Sequence, residues 1–198
     1  MLGPCLFLAY INEYTDRVSS PSRLFADDTI LYRFINCAQV PVALQEDLRE
    51  LEQREKEWEM SFHPNKCNRL PITRSKKTSP QQVDYTLRGQ ILETVPSAQY
   101  LGVTLQCDLG WGTHINNVCA KANRTLGFLR RNPKGCSVKI KERAYKALTR
   151  PITEYACAVW DPHNDKHVSN IGKFQKRTAR FAPNRHRNTS SVGDMLIS

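Results

Sequence analysis

The spacing of apolar and polar positions divides the chain into a first half of short strand-like runs and a second half of helical stripes. Leu2 to Ile11 is apolar throughout and reads as a helix entered without a polar lead-in. In Ser22 to Tyr32, two strand-like runs, Leu24 to Ala26 and Thr29 to Tyr32, flank Asp27 and Asp28, which predicts a β-hairpin with two carboxylates at its tip. Between Pro41 and Phe62 the apolar residues Leu44, Leu48, Leu51, Trp58 and Phe62 recur near the helical period. The remaining positions carry Glu46, Asp47, Arg49, Glu50, Arg54, Glu55, Lys56 and Glu57, a pattern expected of a solvated face, and Pro64 ends the run. A turn and a short strand follow up to Arg74, then a polar loop from Ser75 to Gln82. Val83 to Leu87 and Ile91 to Val95 read as strands around Arg88-Gly89-Gln90. Gln99 to Leu105 reads as one further strand, in which Gly102 marks either a close backbone approach or a bulge.

From about Trp111 the period becomes helical. Thr113 is the expected N-cap of a helix with Ile115, Val118, Cys119, Ala122, Leu126 and Leu129 inward, broken at Asn132-Pro133-Lys134-Gly135. Ser137 caps the next, with Ile140, Ala144, Ala147 and Leu148 inward, and Pro151 kinks or splits it before Ile152, Tyr155, Ala156 and Val159. A last basic helix runs from about Val168 to Phe181. Apolar stripes on three helices predict a small bundle, so the fold class is α+β: strands with a packed helix over residues 1–107, then an all-helical region over 108–198.

Charge adds a partner class. The 198 residues are 40% apolar, enough for a core, and carry a net charge of +10 with a pI of about 9.4. Such an excess gains affinity for phosphate backbones by counterion release, although a basic balance has other uses. Lys121, Arg124, Arg130 and Arg131, with Lys173, Lys176 and Arg177 of the last helix, form a candidate phosphate-tracking face, each residue being alternatively a solvated charge. The seven cysteines are odd in number and include no CxxC pair, which implies reduced thiols in an intracellular protein with no disulfide-linked partner. Cys157, His163 and His167 form the only loose Cys/His cluster. No stretch approaches the roughly 20 apolar residues of a membrane helix. Residues 1–11 lack a basic n-region and a cleavage site, so a nuclear or cytoplasmic rather than a secreted protein is expected, and the Asn188-Thr189-Ser190 sequon carries no meaning.

Adjacent carboxylates at a hairpin tip suit the hard cation Mg²⁺, which takes oxygen ligands and leaves positions for waters and substrate phosphates. They also suit an ordinary turn. The residues around them decide between these readings. Phe25-Ala26-Asp27-Asp28 resembles the Phe/Tyr-x-Asp-Asp box of reverse transcriptases, and the surrounding text is similar to the non-LTR (LINE-type, jockey-like) retrotransposon branch. Leu2 to Glu13 is similar to the end of that family's template and nucleotide-contact motif, and Trp58, Phe62 and Lys66-Cys67 to a later palm motif in which His63 replaces the usual Asn. Tyr100-Leu101-Gly102-Val103 resembles the primer-grip box. Lys121 to Asn132, Arg150 to Ala156 and Val159 to Pro162 resemble thumb and post-thumb text, and the likeness departs at Ala182-Pro183-Asn184.

The resemblance implies a partial polymerase palm over 1–107 and a helical thumb and post-thumb region over 108–198. It implies template-directed nucleotidyl transfer by a two-metal mechanism, with Asp27 and Asp28 binding Mg²⁺ and Lys66 donating a proton to pyrophosphate. Tyr100, Leu101 and Gly102 would hold the primer end. RNA template, DNA primer and dNTP are the implied partners. Family members take a further metal-binding aspartate from an earlier strand, for which Glu13 and Asp16 are no natural substitutes. The chain therefore reads as a C-terminal polymerase fragment, inactive alone, with a non-catalytic nucleic-acid-binding remnant as the alternative.

Overall fold

A computed structural model of the chain describes residues 2–37, 39–73, 83–132, 135–162 and 164–181. It is a mixed helix-and-sheet structure. The elements are α1 (Leu2–Ile11), β1 (Ser22–Phe25), β2 (Asp28–Leu31), α2 (Gln39–Glu57), β3 (Asn68–Arg69), β4 (Thr86–Leu87), β5 (Gln90–Ile91), β6 (Glu93–Thr94), β7 (Ser97–Tyr100), β8 (Val103–Gln106), α3 (Gly112–Arg131), α4 (Val138–Leu148), α5 (Arg150–Glu154) and α6 (Asp165–Ala179). The chain divides into two compact units, Met1–Gly102 with Gln106–Leu109, and Val103–Leu105 with Gly110–Ser198.

In the first unit Ile11, Tyr14 and Leu51 are buried together, with Val18, Leu31, Trp58, Met60 and Phe62 packed against them. The charged side of α2 is only partly the solvated face its sequence suggests, because Asp47, Arg54 and Glu55 are buried. Each satisfies backbone that has no ladder partner. Arg54 donates to the carbonyls of Glu13 and, at 2.6 Å, of Tyr14, and its guanidinium lies 5.3 Å over the Trp58 ring. A Glu55 oxygen accepts from the Phe62 amide at 2.6 Å and pairs with Arg88 at 3.4 Å. The Tyr14 hydroxyl, whose pKa is raised by burial and by Glu55, donates to the Leu51 carbonyl at 3.0 Å. Gln45 closes an amide pair with β4, accepting from Thr86 N at 2.8 Å and donating to Thr86 O at 2.9 Å. Residues 2–10 of α1 are exposed, so the helix is present but not buried as its apolar text suggests.

The strands form separate pairs rather than one palm-like antiparallel sheet. β1–β2 and β4–β5 are antiparallel and β3–β6 is parallel. The expected strand Gln99 to Leu105 is broken into β7 and β8 by Leu101 and Gly102, at φ 46° and 77°. Two successive residues in the left-handed region make the tight primed turn of a hairpin, so Gly102 is a turn glycine and not a strand bulge. Arg88 and Gly89 do the same between β4 and β5, at φ 53° and 73°.

In the second unit Ala122, Leu126 and Leu129 of α3 bury against Phe174 and Phe181, with Ala144, Tyr145 and Ile152 packed around them. α3 begins at Gly112 with Trp111 at the N-cap, not Thr113. Ser137 does occupy the N-cap of α4, though its side chain makes no capping bond. Pro151 splits the helix as expected, standing in the first turn of α5, but α5 ends at Glu154, Ala156 turns to φ 52°, and Tyr155 and Val159 are exposed instead of inward. α6 begins at Asp165, ahead of Val168, because Asn164 caps it by accepting from Lys166 N at 2.9 Å. Ile140 and Leu148 are half exposed instead of inward. Ala144 and Tyr145 make the core contact, which sets the rotation of α4.

His114 is buried between the rings of Trp111 and Trp160, with centroids 6.4 and 5.2 Å away. Its Nδ1 accepts from Thr104 N at 3.1 Å, which puts the proton of the neutral ring on Nε2. Burial pushes its pKa below 6.5. The neutral form is therefore the folded form, and below pH about 6.5 the unfolded chain takes up a proton that the folded chain refuses. Stability to urea should fall between pH 7.5 and 5.5, and His114→Gln should flatten that slope while lowering stability at both values. Leu126→Ala should cost about 2–5 kcal/mol in the same measurement, as for other fully buried leucines.

Candidate functional site

The β1–β2 hairpin pairs Ser22 with Leu31, Arg23 with Ile30, Leu24 with Thr29 and Phe25 with Asp28, leaving Ala26 and Asp27 as the connecting residues. Ala26 sits at φ 53°. For a residue with a Cβ this left-handed conformation costs about 1–2 kcal/mol and persists only where the surroundings impose it.

The base of the hairpin is tied down by side chains. Asp47 of α2 accepts from Ser19 N at 2.7 Å, Ser19 Oγ at 2.9 Å and Ser20 N at 2.9 Å, and also from Ser20 Oγ. Burial works to raise the Asp47 pKa, but these bonds outweigh it and hold the carboxyl below its usual range. Arg33, just past β2, donates to Ser19 Oγ at 2.7 Å, and Leu31 packs on the Ile11–Tyr14–Leu51 core. The two ends of the hairpin are thus fixed to one helix while its tip stands in solvent.

At that tip Asp27 and Asp28 are both exposed. Among the described residues neither side chain makes a hydrogen bond or ion pair, so both carboxylates face solvent unpartnered. This fits Mg²⁺, which proteins commonly hold through one or two carboxylates with waters and substrate phosphates filling the remaining positions. No group of three His, Cys, Asp or Glu comes together among the described residues.

Lys66 ends a short 3-10 turn, Pro64–Lys66, and is exposed, with no ion pair to either aspartate. Burial, then Glu55, raises the thiol pKa of its half-buried neighbour Cys67. Tyr100 ends β7, and Leu101 and Gly102 form the turn described above. All seven cysteines are free thiols. His163, residues 74–82, Pro133-Lys134 and residues 182–198 lie outside the described residues. No helix among the described residues is long and apolar enough to cross a membrane.

The basic residues of the second unit fall on different faces. Arg130 Nη2 donates to the Arg177 carbonyl at 3.0 Å, and Arg177 Nη1 donates to Asn123 Oδ1 at 3.1 Å, so these two are bound into the α3–α6 seam. Lys121, Arg124 and Arg131 lie on the opposite, exposed side of α3, and Lys173 and Lys176 are exposed on α6. The contribution of Asp47 was not legible from sequence, where it reads as one more acid on a charged helix. The only signal is the Ser19-Ser20 pair, and nothing in the sequence places it beside α2.

No protein-family model matches the chain, and no solved structure does. Among curated proteins it is similar to the "Probable RNA-directed DNA polymerase from transposon BS" of Drosophila melanogaster, 27% identical over 192 residues, covering 91% of the chain and 21% of that protein. It is 24% identical over 193 residues to the "RNA-directed DNA polymerase from mobile element jockey" of the same species, again covering 91% and 21%. The jockey polymerase of Drosophila funebris is 26% identical over 161 residues, covering 79% of the chain and 17% of that protein. The chain thus spans about a fifth of the length of the curated relatives it matches.

Replacing Asp47 by Ala leaves the Ser19 and Ser20 amides without acceptors, and an unsatisfied buried group costs about 1–3 kcal/mol. Asp47→Ala should lower stability by that amount and speed amide exchange across Ser22–Leu31. Because the folded pKa is depressed, the contribution is fully present at neutral pH and is lost as pH falls from about 3.8. Acid-induced opening of the hairpin should accordingly be absent from the variant.

Proposed function

We propose that this chain, whose curated homologues are RNA-directed DNA polymerases of mobile elements, forms part of a polymerase that extends a DNA primer on an RNA template. The observation that carries the reading is the pair of unpartnered carboxylates, Asp27 and Asp28, on a hairpin tip whose base is fixed to α2, in a chain that matches such polymerases over 91% of its length. In this reading Asp27 and Asp28 would hold Mg²⁺, which would supply charge neutralisation at the triphosphate and activation of the primer hydroxyl. Lys66 donates a proton to the departing pyrophosphate. The Tyr100-Leu101-Gly102 turn supports the primer end, and the basic residues of α3 and α6 follow the phosphate backbone.

Phosphoryl transfer is catalysed almost entirely by positioning and charge neutralisation. Two adjacent carboxylates are one part of a two-metal ligand set, and no further acid gathers with them among the described residues. In this reading the further metal-binding acid belongs to another part of the polymerase, and the 198 residues alone are inactive. A second reading, binding without catalysis, is favoured by α3, which has four Lys and Arg residues and no acid in 20 positions.

Primer extension with Mg²⁺, dNTPs and an RNA template separates these readings. The 198-residue chain alone should give no product. A jockey polymerase carrying residues 1–198 in place of its matching segment should extend, and Asp27→Ala in that chimera should reduce the rate by at least about 100-fold, the scale of losing one preorganised electrostatic group. Extension by the chain alone would overturn the incompleteness, and an active Asp27→Ala chimera would overturn the metal site. Steep loss of nucleic-acid binding with salt, in a chimera that cannot extend, would leave the binding reading.

A further inference from the structure

We propose that the outer face of α3 is a platform for an unpaired nucleic-acid strand, with Phe128 stacking on a base and Lys121, Arg124 and Arg131 holding the phosphates on either side. The proposal rests on the reading of the chain as a nucleic-acid-binding protein and names which face binds and in what form the strand is held. Asn117, Lys121, Arg124, Phe128 and Arg131 follow one another at intervals of four, three, four and three residues, which places them in a single stripe along the helix. All five are exposed, on the side away from the buried Ala122, Leu126 and Leu129.

Helix stability does not account for the stripe. Basic residues complement the helix dipole only in the last turn, which covers Arg131, whereas Lys121 and Arg124 stand in mid-helix. Among the described residues none of the three cations is in an ion pair, and α3 has no acid of its own to neutralise them. Phe128 is 52% exposed in the middle of these charges, where an aromatic ring gains little from folding. A Cβ at Gly127 would come within 3.5 Å of Arg131 Nη1, so the guanidinium lies back along the helix surface over Gly127.

A ring flanked by cations is what an unpaired strand requires, since every base offers a π-face and every linkage a phosphate. From Lys121 to Arg131 the helix rises roughly 15 Å, a little more than four phosphate-to-phosphate steps of ~3.4 Å each. Duplex offers no exposed base face to Phe128. A second copy of the chain would bring like charges onto the same stripe, so self-association is disfavoured.

Fluorescence anisotropy with a labelled 20-nucleotide oligo(dT), oligo(U) and a blunt duplex of equal length tests the assignment on the full chain. Single strands should bind more tightly than duplex. Phe128→Ala should weaken single-strand binding about 5- to 150-fold, the range for loss of one stacked base, with the salt slope unchanged and Phe128→Trp restoring it. Lys121→Gln with Arg124→Gln should make the slope of log K against log salt shallower by about 1.4. Unchanged circular dichroism keeps the exposed variants interpretable. Equal affinity of Phe128→Ala and the parent, or a double variant no weaker than Lys139→Gln on α4, would overturn the platform while leaving nucleic-acid binding through α6 intact. No binding of any probe at low salt would overturn both, and concentration-dependent dimerisation lost in Phe128→Ala would assign the face to self-association instead.

Discussion

The first unit depends on three charges that α2 buries. Segments 13–20 and 58–62 are irregular and make few ladder bonds, so their amides and carbonyls need partners from side chains. Arg54 supplies donors to Glu13 and Tyr14, Glu55 an acceptor to Phe62, and Asp47 acceptors to Ser19 and Ser20. A single helix thereby positions the chain entering the β1–β2 hairpin, the chain leaving α2 itself, and the wall of the Tyr14–Leu51 core. Bonds to ionised groups are stronger than neutral ones, and leaving such a group unpaired in the interior is costly, so the arrangement holds only as a whole.

That constraint reaches the carboxylates at the hairpin tip. A four-residue strand pair has little stability of its own, and a residue such as Ala26 does not remain at φ 53° without support. Fixing the base of the hairpin through Asp47, Arg33 and Leu31 keeps the tip ordered while it stays in solvent. Two other turns instead use the positive-φ pairs Arg88-Gly89 and Leu101-Gly102, where a glycine in the second position lowers the strain.

The helical unit is organised on different terms. Its core is apolar and compact, built on Leu126, Leu129 and Phe174, so its charges are left at the surface. Arg130 and Arg177 close the seam between α3 and α6, while Lys121, Arg124 and Arg131 face outward with Phe128. The buried exception is His114, held neutral by burial and by the Thr104 amide pointing at its Nδ1.

Among the described residues, periodicity and turn chemistry by themselves determined the existence of α1 to α4 and α6, the hairpin around Asp27-Asp28 and the break at Pro151, while motif text carried the resemblance that the curated relatives bear out. These are local properties, written in spacings of two to four residues and in the fixed φ of proline. Tertiary structure decided which charges are buried, because the partners of Asp47, Arg54 and Glu55 lie 7 to 41 residues away and no periodicity encodes them. It decided the rotation of α4, where Tyr145 displaces the expected Ile140 and Leu148 from the core. It broke the apparent strand at Leu101-Gly102, since a strand pattern does not reveal where φ turns positive. It also divided one run of basic residues into a structural pair and an open stripe, a distinction set by the helix that packs beside α3.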